Sequence, residues 1–138
     1  MPWLRRLGAI VVGVVTAVIV AALSFSILVA VWPAYAEAAP TRSFTLAMLL
    51  ARLGVAVVIT VAAACAATLA AGDDGRIAWW LGGLFVVASL PSHLDRMWDV
   101  FPIWYHAVYL LGLVPVAGLA ARALRVRWPV AASGASTG

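Results

Sequence analysis

The sequence predicts an all-α fold, a bundle of four membrane-spanning helices, on three observations: four long apolar runs, very few charges, and arginines and tryptophans gathered where those runs end. Of 138 residues, 66% are hydrophobic and only 10% are charged, whereas a soluble domain carries about 25% charged residues. So few charges cannot cover a water-facing surface, and the apolar excess needs lipid as its solvent. No run alternates with period two over about ten residues, as a barrel strand would. The length suits one domain: residues 1–127 hold all four spans, and 128–138 form a cytoplasmic tail whose end, Ser133 to Gly138, reads as disordered.

The first span runs from Leu7 to Trp32, 26 residues. Arg5 and Arg6 precede it and Ala34-Tyr35-Ala36 resembles a cleavage site, but a signal peptide's apolar core covers about 7–15 residues. The run is therefore read as an uncleaved anchor. The second span is Leu46 to Ala71 and the fourth Ile103 to Leu124. The third, Ile77 to Leu90, has only fourteen residues, roughly 21 Å of helix against a hydrocarbon core of about 30 Å. It is expected to extend to residue 91 or slightly beyond, with a break near Pro91-Ser92. The connection from Pro33 to Ser43 is Ala/Pro-rich and read as irregular. Gly72-Asp73-Asp74-Gly75 is a tight polar turn that makes the second and third spans antiparallel neighbours. Between the third and fourth spans, Leu94, Met97, Trp98 and Phe101 fall at helical spacing, which predicts a short interfacial helix ended by Pro102.

All nine basic residues are Arg, and with the Ala/Val/Gly-rich body this points to a bacterial gene of high GC content. The arginines flank the spans, so the net charge of +4 reads as a topology signal and not as a nucleic-acid face. With a cytoplasmic N-terminus, Arg5, Arg6, Arg76, Arg122, Arg125 and Arg127 lie inside and Arg42 and Arg96 outside. That positive-inside bias predicts an inner-membrane protein with both termini cytoplasmic. The tryptophans agree: Trp3, Trp79, Trp80 and Trp128 mark one interface, and Trp32, Trp98 and Trp104 the other.

Without a hydrophobic drive between helices, small residues set the packing. Ala62, Ala66 and Ala70, with Ala63 and Ala67 beside them, form a ridge on the second span that Gly82 and Gly83 could receive. Gly8, Gly13 and Gly112 offer similar patches. The ridge reads as intrachain packing in preference to a dimer motif. Cys65, the only cysteine, reads as a small packing residue.

One polar group stands out on the outer side: Arg52, His93, Asp95, Arg96, Asp99, His106 and Tyr109. Arg52 lies about seven residues into the second span, roughly 10 Å along its axis. A charge there needs a partner or a route to the headgroups, and Asp95 or Asp99 is the expected partner, with Glu37 as another outer carboxylate. His106 and Tyr109, three residues apart, share a helical face. An Arg–Asp pair pinning a loop over the bundle is the plain structural reading; a ligand or lipid-headgroup site is the functional one. No catalytic residue, metal set or cofactor is assigned. The His and Asp residues lack a ligand spacing that fixes a geometry, and Pro102 falls between the two histidines that a haem would need on one helix.

At Trp32-Pro33-Ala34-Tyr35, at Arg52 and at Pro102-Ile103-Trp104-Tyr105-His106, the chain resembles uncharacterised small four-helix integral membrane proteins of bacteria, from about residue 7 to 124. The resemblance implies the four-span architecture and no activity. Small multidrug resistance transporters share the size but rely on a membrane-embedded Glu in the first helix, where this chain has no acidic residue. The four-helix glutathione-using membrane enzymes carry several charges inside their spans, and here only Arg52 is embedded. The function expected is that of a small non-enzymatic accessory, interaction or lipid-contacting protein. Its partners would be membrane lipid, another membrane protein or a second copy. An oligomeric transporter or channel is the alternative, followed by a membrane enzyme with an outer-face polar site. Transport would call for polar groups near the bilayer midplane, where only Thr16, Thr60 and Cys65 stand.

Overall fold

The helices start and stop where elementary backbone chemistry allows. In this computed structural model, which describes residues 2–72 and 75–127, α1 covers Pro2–Val31, α2 Pro33–Thr41, α3 Leu46–Ala71, α4 Arg76–Pro91 and α5 Ile103–Arg127, with a five-residue π-helical turn, Ser92–Arg96, on the end of α4. Asp73, Asp74, Trp128 and the tail read as disordered lie outside the described residues. Thr45 caps α3, its hydroxyl accepting from the Met48 N–H at 3.4 Å, which satisfies one of the unpaired donors of the first turn. Gly72 ends the helix at φ +58°, a left-handed conformation that glycine adopts without penalty. The Arg5 guanidinium tip lies where a Cβ would be, but that exposed side chain can shift, so the left-handed φ is what favours glycine there. Arg5 Nε donates to the Ala70 carbonyl at 3.4 Å, placing a cation at the negative end of α3.

Four helices among the described residues are long and apolar enough to cross a membrane: Trp3–Val31, Leu46–Ala71, Arg76–Arg96 and Ile103–Arg127, of 29, 26, 21 and 25 residues. The third gains its length by running through Pro91 into the π-turn. Pro91 has no N–H to donate, and in membrane helices a local π adjustment can re-satisfy the backbone groups that a proline frees. The segment read as a short interfacial helix is thus a π-turn followed by tight turns, in which the Val100 and Phe101 N–H groups both donate to Met97 O at 3.1 Å. The apolar stripe divides accordingly: Leu94 and Trp98 are exposed, whereas Phe101 is buried. The connection read as irregular is also corrected, since Pro33–Thr41 is the helix α2. Pro33 sits in its first turn, where a proline costs no hydrogen bond. Arg42 closes it at φ +56°, its N–H bonded to the Ala38 and Ala39 carbonyls.

α1 packs along α3, α4 along α5, and α3 touches both α4 and α5. Two ends follow: a turn end, with the α3–α4 connection, and an α2 end, with α2 and the π-turn. Toward the turn end the interior is made of small residues. Ala9, Ala17, Ala63, Ala67 and Ala71 pack with Ile77 and Leu81, and Ala64, Ala78, Ala117 and Ala121 form a second cluster. The ridge is therefore shifted by one residue from the reading above: Ala63, Ala64 and Ala67 are fully buried, while Ala62, Ala66 and Ala70 are only half-buried. Its recipient also differs. A Cβ on Gly13 would lie 3.1 Å from Ala67 Cβ and 3.2 Å from Ala63 O, so α1 receives the ridge. Gly82 meets α5 instead, where a Cβ would sit 2.9 Å from Val114 Cα. Gly8, Gly83 and Gly112 approach nothing within 4 Å.

Candidate functional site

Toward the α2 end aromatic residues replace alanine as the filling. Tyr35, Ala38 and Met48 pack with Trp32 and Phe44, and Leu49, Phe101 and Tyr105 pack with Phe44 and Met97. All three tyrosines of the chain, Tyr35, Tyr105 and Tyr109, gather at this end.

Arg52 is embedded among them, and the carboxylate partner expected for it is replaced by a phenol. Its Nη1 donates to the Tyr35 hydroxyl at 2.6 Å. The guanidinium carbon lies 4.9 Å from the centre of the Phe44 ring, 5.2 Å from Phe25 and 5.6 Å from Phe101. Each ring presents a negative face to the cation, worth about 0.5–2 kcal/mol depending on desolvation. Nε remains buried without a partner. Asp95, Asp99 and Glu37 are exposed on the surface. The reason is position: the π-turn directs His93 inward and leaves Asp95 and Arg96 outside. Arg96 joins the surface through its carbonyl, which accepts from Arg42 Nη1 at 3.2 Å and ties the end of α2 to the π-turn.

The seven residues read as one polar cluster therefore separate into two groups. Asp95, Arg96 and Asp99 face outward. Arg52, His93, His106 and Tyr109 face inward, and the two histidines meet. His93 Nδ1 and His106 Nδ1 are 2.8 Å apart, and the residues are 5% and 3% exposed. The His93 ring stacks on Tyr109 at 4.5 Å, and the His106 ring on Trp98 at 5.2 Å. Thus Trp98, read as an interface anchor, also covers a histidine. His106 Nε2 is buried with no partner. Pro102 assists the encounter by starting α5 abruptly, its carbonyl accepting from the Tyr105 N–H at 2.9 Å. Among the described residues no three His, Cys, Asp or Glu side chains gather as a metal set.

His93 and Tyr109 also line a cleft of about 390 Å³ between α1, α3, α4 and α5. Ala17, Ala21, Ala56 and Thr60 form its deeper wall, while Phe25, Ser92, His93 and Met97 surround its α2 end. The Thr60 hydroxyl is bonded to its own helix, at Ala56 O, 2.8 Å away, so the deeper wall is effectively apolar. Val18, on the rim, is 64% exposed, so the cleft opens sideways, where the bilayer lies against a spanning helix. Its volume falls within the range of about 300–1,000 Å³ usual for small-molecule sites. A smaller cavity of about 170 Å³ lies between α3 and α5, behind Tyr109 and Leu113.

Tyr35, Tyr105, Phe25, Phe44 and Phe101 were missed as site residues by sequence reasoning. A signal for them existed: the only acidic residue in any span, Asp95, stands one residue from the end of the third, so an arginine embedded deeper had phenols and ring faces at its own depth. Compared with known protein families, curated proteins and solved structures, the chain finds no significant match.

Proposed function

We propose that this chain is a non-enzymatic inner-membrane protein, with both termini cytoplasmic, that holds a lipid-soluble amphiphile in its lateral cleft. The observation carrying this reading is the cleft's polarity gradient. Alanines line its depth, and His93 and Tyr109 stand at its α2 end. An apolar tail with one polar head, entering from the side, matches that gradient. With the Arg-rich turn end in the cytoplasm, the polar end of the cleft lies in the outer leaflet. A transport pathway is less well supported. The hydroxyls near mid-span, Thr16 and Thr60, each bond a carbonyl of their own helix at 2.8 Å, and the unpartnered buried hydroxyl of Thr68 lies closer to the turn end, which leaves the middle of the bundle with no free polar side chain of these threonines. An accessory role follows naturally, with the held amphiphile presented to, or shared with, a membrane partner.

Native mass spectrometry of the protein extracted in a maltoside detergent tests the reading. A bound lipid-soluble molecule is expected on the wild type and not on Ala56→Phe, whose ring fills the cleft wall. No adduct on the wild type, or the same adduct on Ala56→Phe, would overturn the proposal.

A further inference from the structure

We infer that the occupant is an acyl-ester lipid of the outer leaflet, one chain lying in the cleft and its ester carbonyl accepting a hydrogen bond from His93 Nε2. This deepens the amphiphile reading and rests on it. The step from amphiphile to carbonyl comes from the proton inventory of the two histidines.

At 2.8 Å, only one proton fits between the two Nδ1 atoms. If His93 held it, neutral His106 would carry its own proton on Nε2. That atom is fully buried without a partner, whereas His93 Nε2 is not, and a buried donor left unpaired costs its full desolvation. The proton therefore belongs to His106 Nδ1, which donates to His93 Nδ1. Neutral His93 then carries its proton on Nε2. Among the described residues no hydrogen bond holds that N–H, and the His93 ring lines the cleft beside Ser89 and Ser92, whose hydroxyls can donate as well as accept. The Tyr109 hydroxyl, on a ring stacked 4.5 Å from His93 and lining the same cleft, can be a second donor.

The polar end of the cleft thus offers donors and asks for an acceptor. It asks for a neutral one, because the embedded Arg52 does not line the cleft and an anion drawn there would leave water without a cation to meet it. A neutral acceptor joined to a long apolar chain, at the interfacial depth of the end of a spanning helix, is the ester carbonyl of a glycerolipid. The sideways opening at Val18 gives it direct access.

The test uses wild-type protein delipidated in maltoside detergent. It is then offered diester phosphatidylglycerol in competition with its diether analogue of identical chains, and bound species are weighed by native mass spectrometry. The two lipids differ only in the carbonyls. The diester form is expected to be favoured about two- to tenfold, the range of one net hydrogen bond. The triple variant His93→Phe/His106→Phe/Tyr109→Phe, which removes both histidines and the second donor, should lose that preference. Equal binding of diester and diether forms to the wild type would overturn carbonyl recognition while leaving the amphiphile site standing. Binding of neither, with wild type and Ala56→Phe alike, would remove both. A lipid quinone that displaces the diester lipid at equal concentration would assign the cleft to a different occupant and overturn the inference.

Discussion

At the scale of single residues, an arginine is kept in a span by phenyl rings and a phenol. Its bond to Tyr35 joins α3 to α2 at 2.6 Å, and it differs from a salt bridge in a measurable way. Interhelical hydrogen bonds in membranes average about 0.6 kcal/mol and reach about 1.7, and a charged donor belongs at the upper end. A double-mutant cycle of Arg52→Leu with Tyr35→Phe should therefore show a coupling of about 1–1.7 kcal/mol in unfolding measurements. The same cycle with Asp95→Asn or Asp99→Asn should be additive, because both carboxylates are exposed. Coupling to an Asp and none to Tyr35 would contradict the geometry. The histidines give a second expectation. Nitrogen-15 shifts should report His106 as the Nδ1–H tautomer and His93 as the Nε2–H tautomer, and the reverse pair would remove the donor at the cleft. That Arg52 needed a partner was legible in the sequence, because the cost of a charge in a span depends only on its position. Which partner it takes was not legible, because the inward turn of His93 and the outward turn of Asp95 arise from a π-turn. A heptad-like stripe cannot announce such a turn.

At the scale of elements, the spans could be read from apolar length, whereas α2 and the π-turn could not. Proline normally argues for a break, yet Pro33 begins a helix and Pro91 is absorbed by a widened turn. The small-residue ridge was legible as a composition but not as a face. In a segment with alanine at 62, 63, 64, 66, 67, 70 and 71, several helical stripes satisfy the same pattern. Only the partner helices select one. Glycine contacts make that selection testable. Alanine at Gly82 would bring Cβ to 2.9 Å from the Val114 backbone, which α5 can relieve only by moving away. Gly82→Ala should cost about 1–3 kcal/mol, as overpacking does, and lower the unfolding temperature in detergent. Gly83→Ala meets nothing within 4 Å and should be neutral or stabilising by up to about 1 kcal/mol, since alanine loses less backbone entropy. At Gly13 the nearest atom is the flexible tip of Leu81, 2.7 Å away, so Gly13→Ala should fall between the two. Equal effects at Gly82 and Gly83 would mean that α4 and α5 do not pack as closely as described.

At the scale of the whole molecule, two physical asymmetries run along the same axis. The turn end is packed with alanine and glycine, and the α2 end is filled with aromatic rings around a cleft and a buried charge. The arginine distribution follows this division. Arg5, Arg6, Arg76, Arg122, Arg125 and Arg127 belong to the helix termini at the turn end, while Arg42 and Arg96 stand at the other, beside the exposed carboxylates Glu37, Asp95 and Asp99. Translocating the turn end would carry six guanidinium groups across the bilayer, against two for the α2 end, and short loops are oriented by that difference. The α2 end is accordingly expected in the periplasm, with the cleft's histidines in the outer leaflet. Arg52 does not alter the count, because it lies within a span and is held by side chains at its own depth. Alkaline phosphatase, which is active only after export, should therefore be active when fused after Ser43 and inactive when fused after Gly75 or at the C-terminus. A fluorescent reporter that folds only in the cytoplasm should give the complementary pattern. Replacing Arg5, Arg6 and Arg76 with Ser, and adding Arg at Ser43 and Thr45, should weaken or invert the orientation. Arg5 also caps α3 through Ala70, so the control is Arg5→Ser alone, which should reduce stability without changing the side on which either reporter is active. An active phosphatase at the C-terminus of the wild-type chain would place the cleft's polar end in the inner leaflet, and the lipid it receives would then come from the cytoplasmic side.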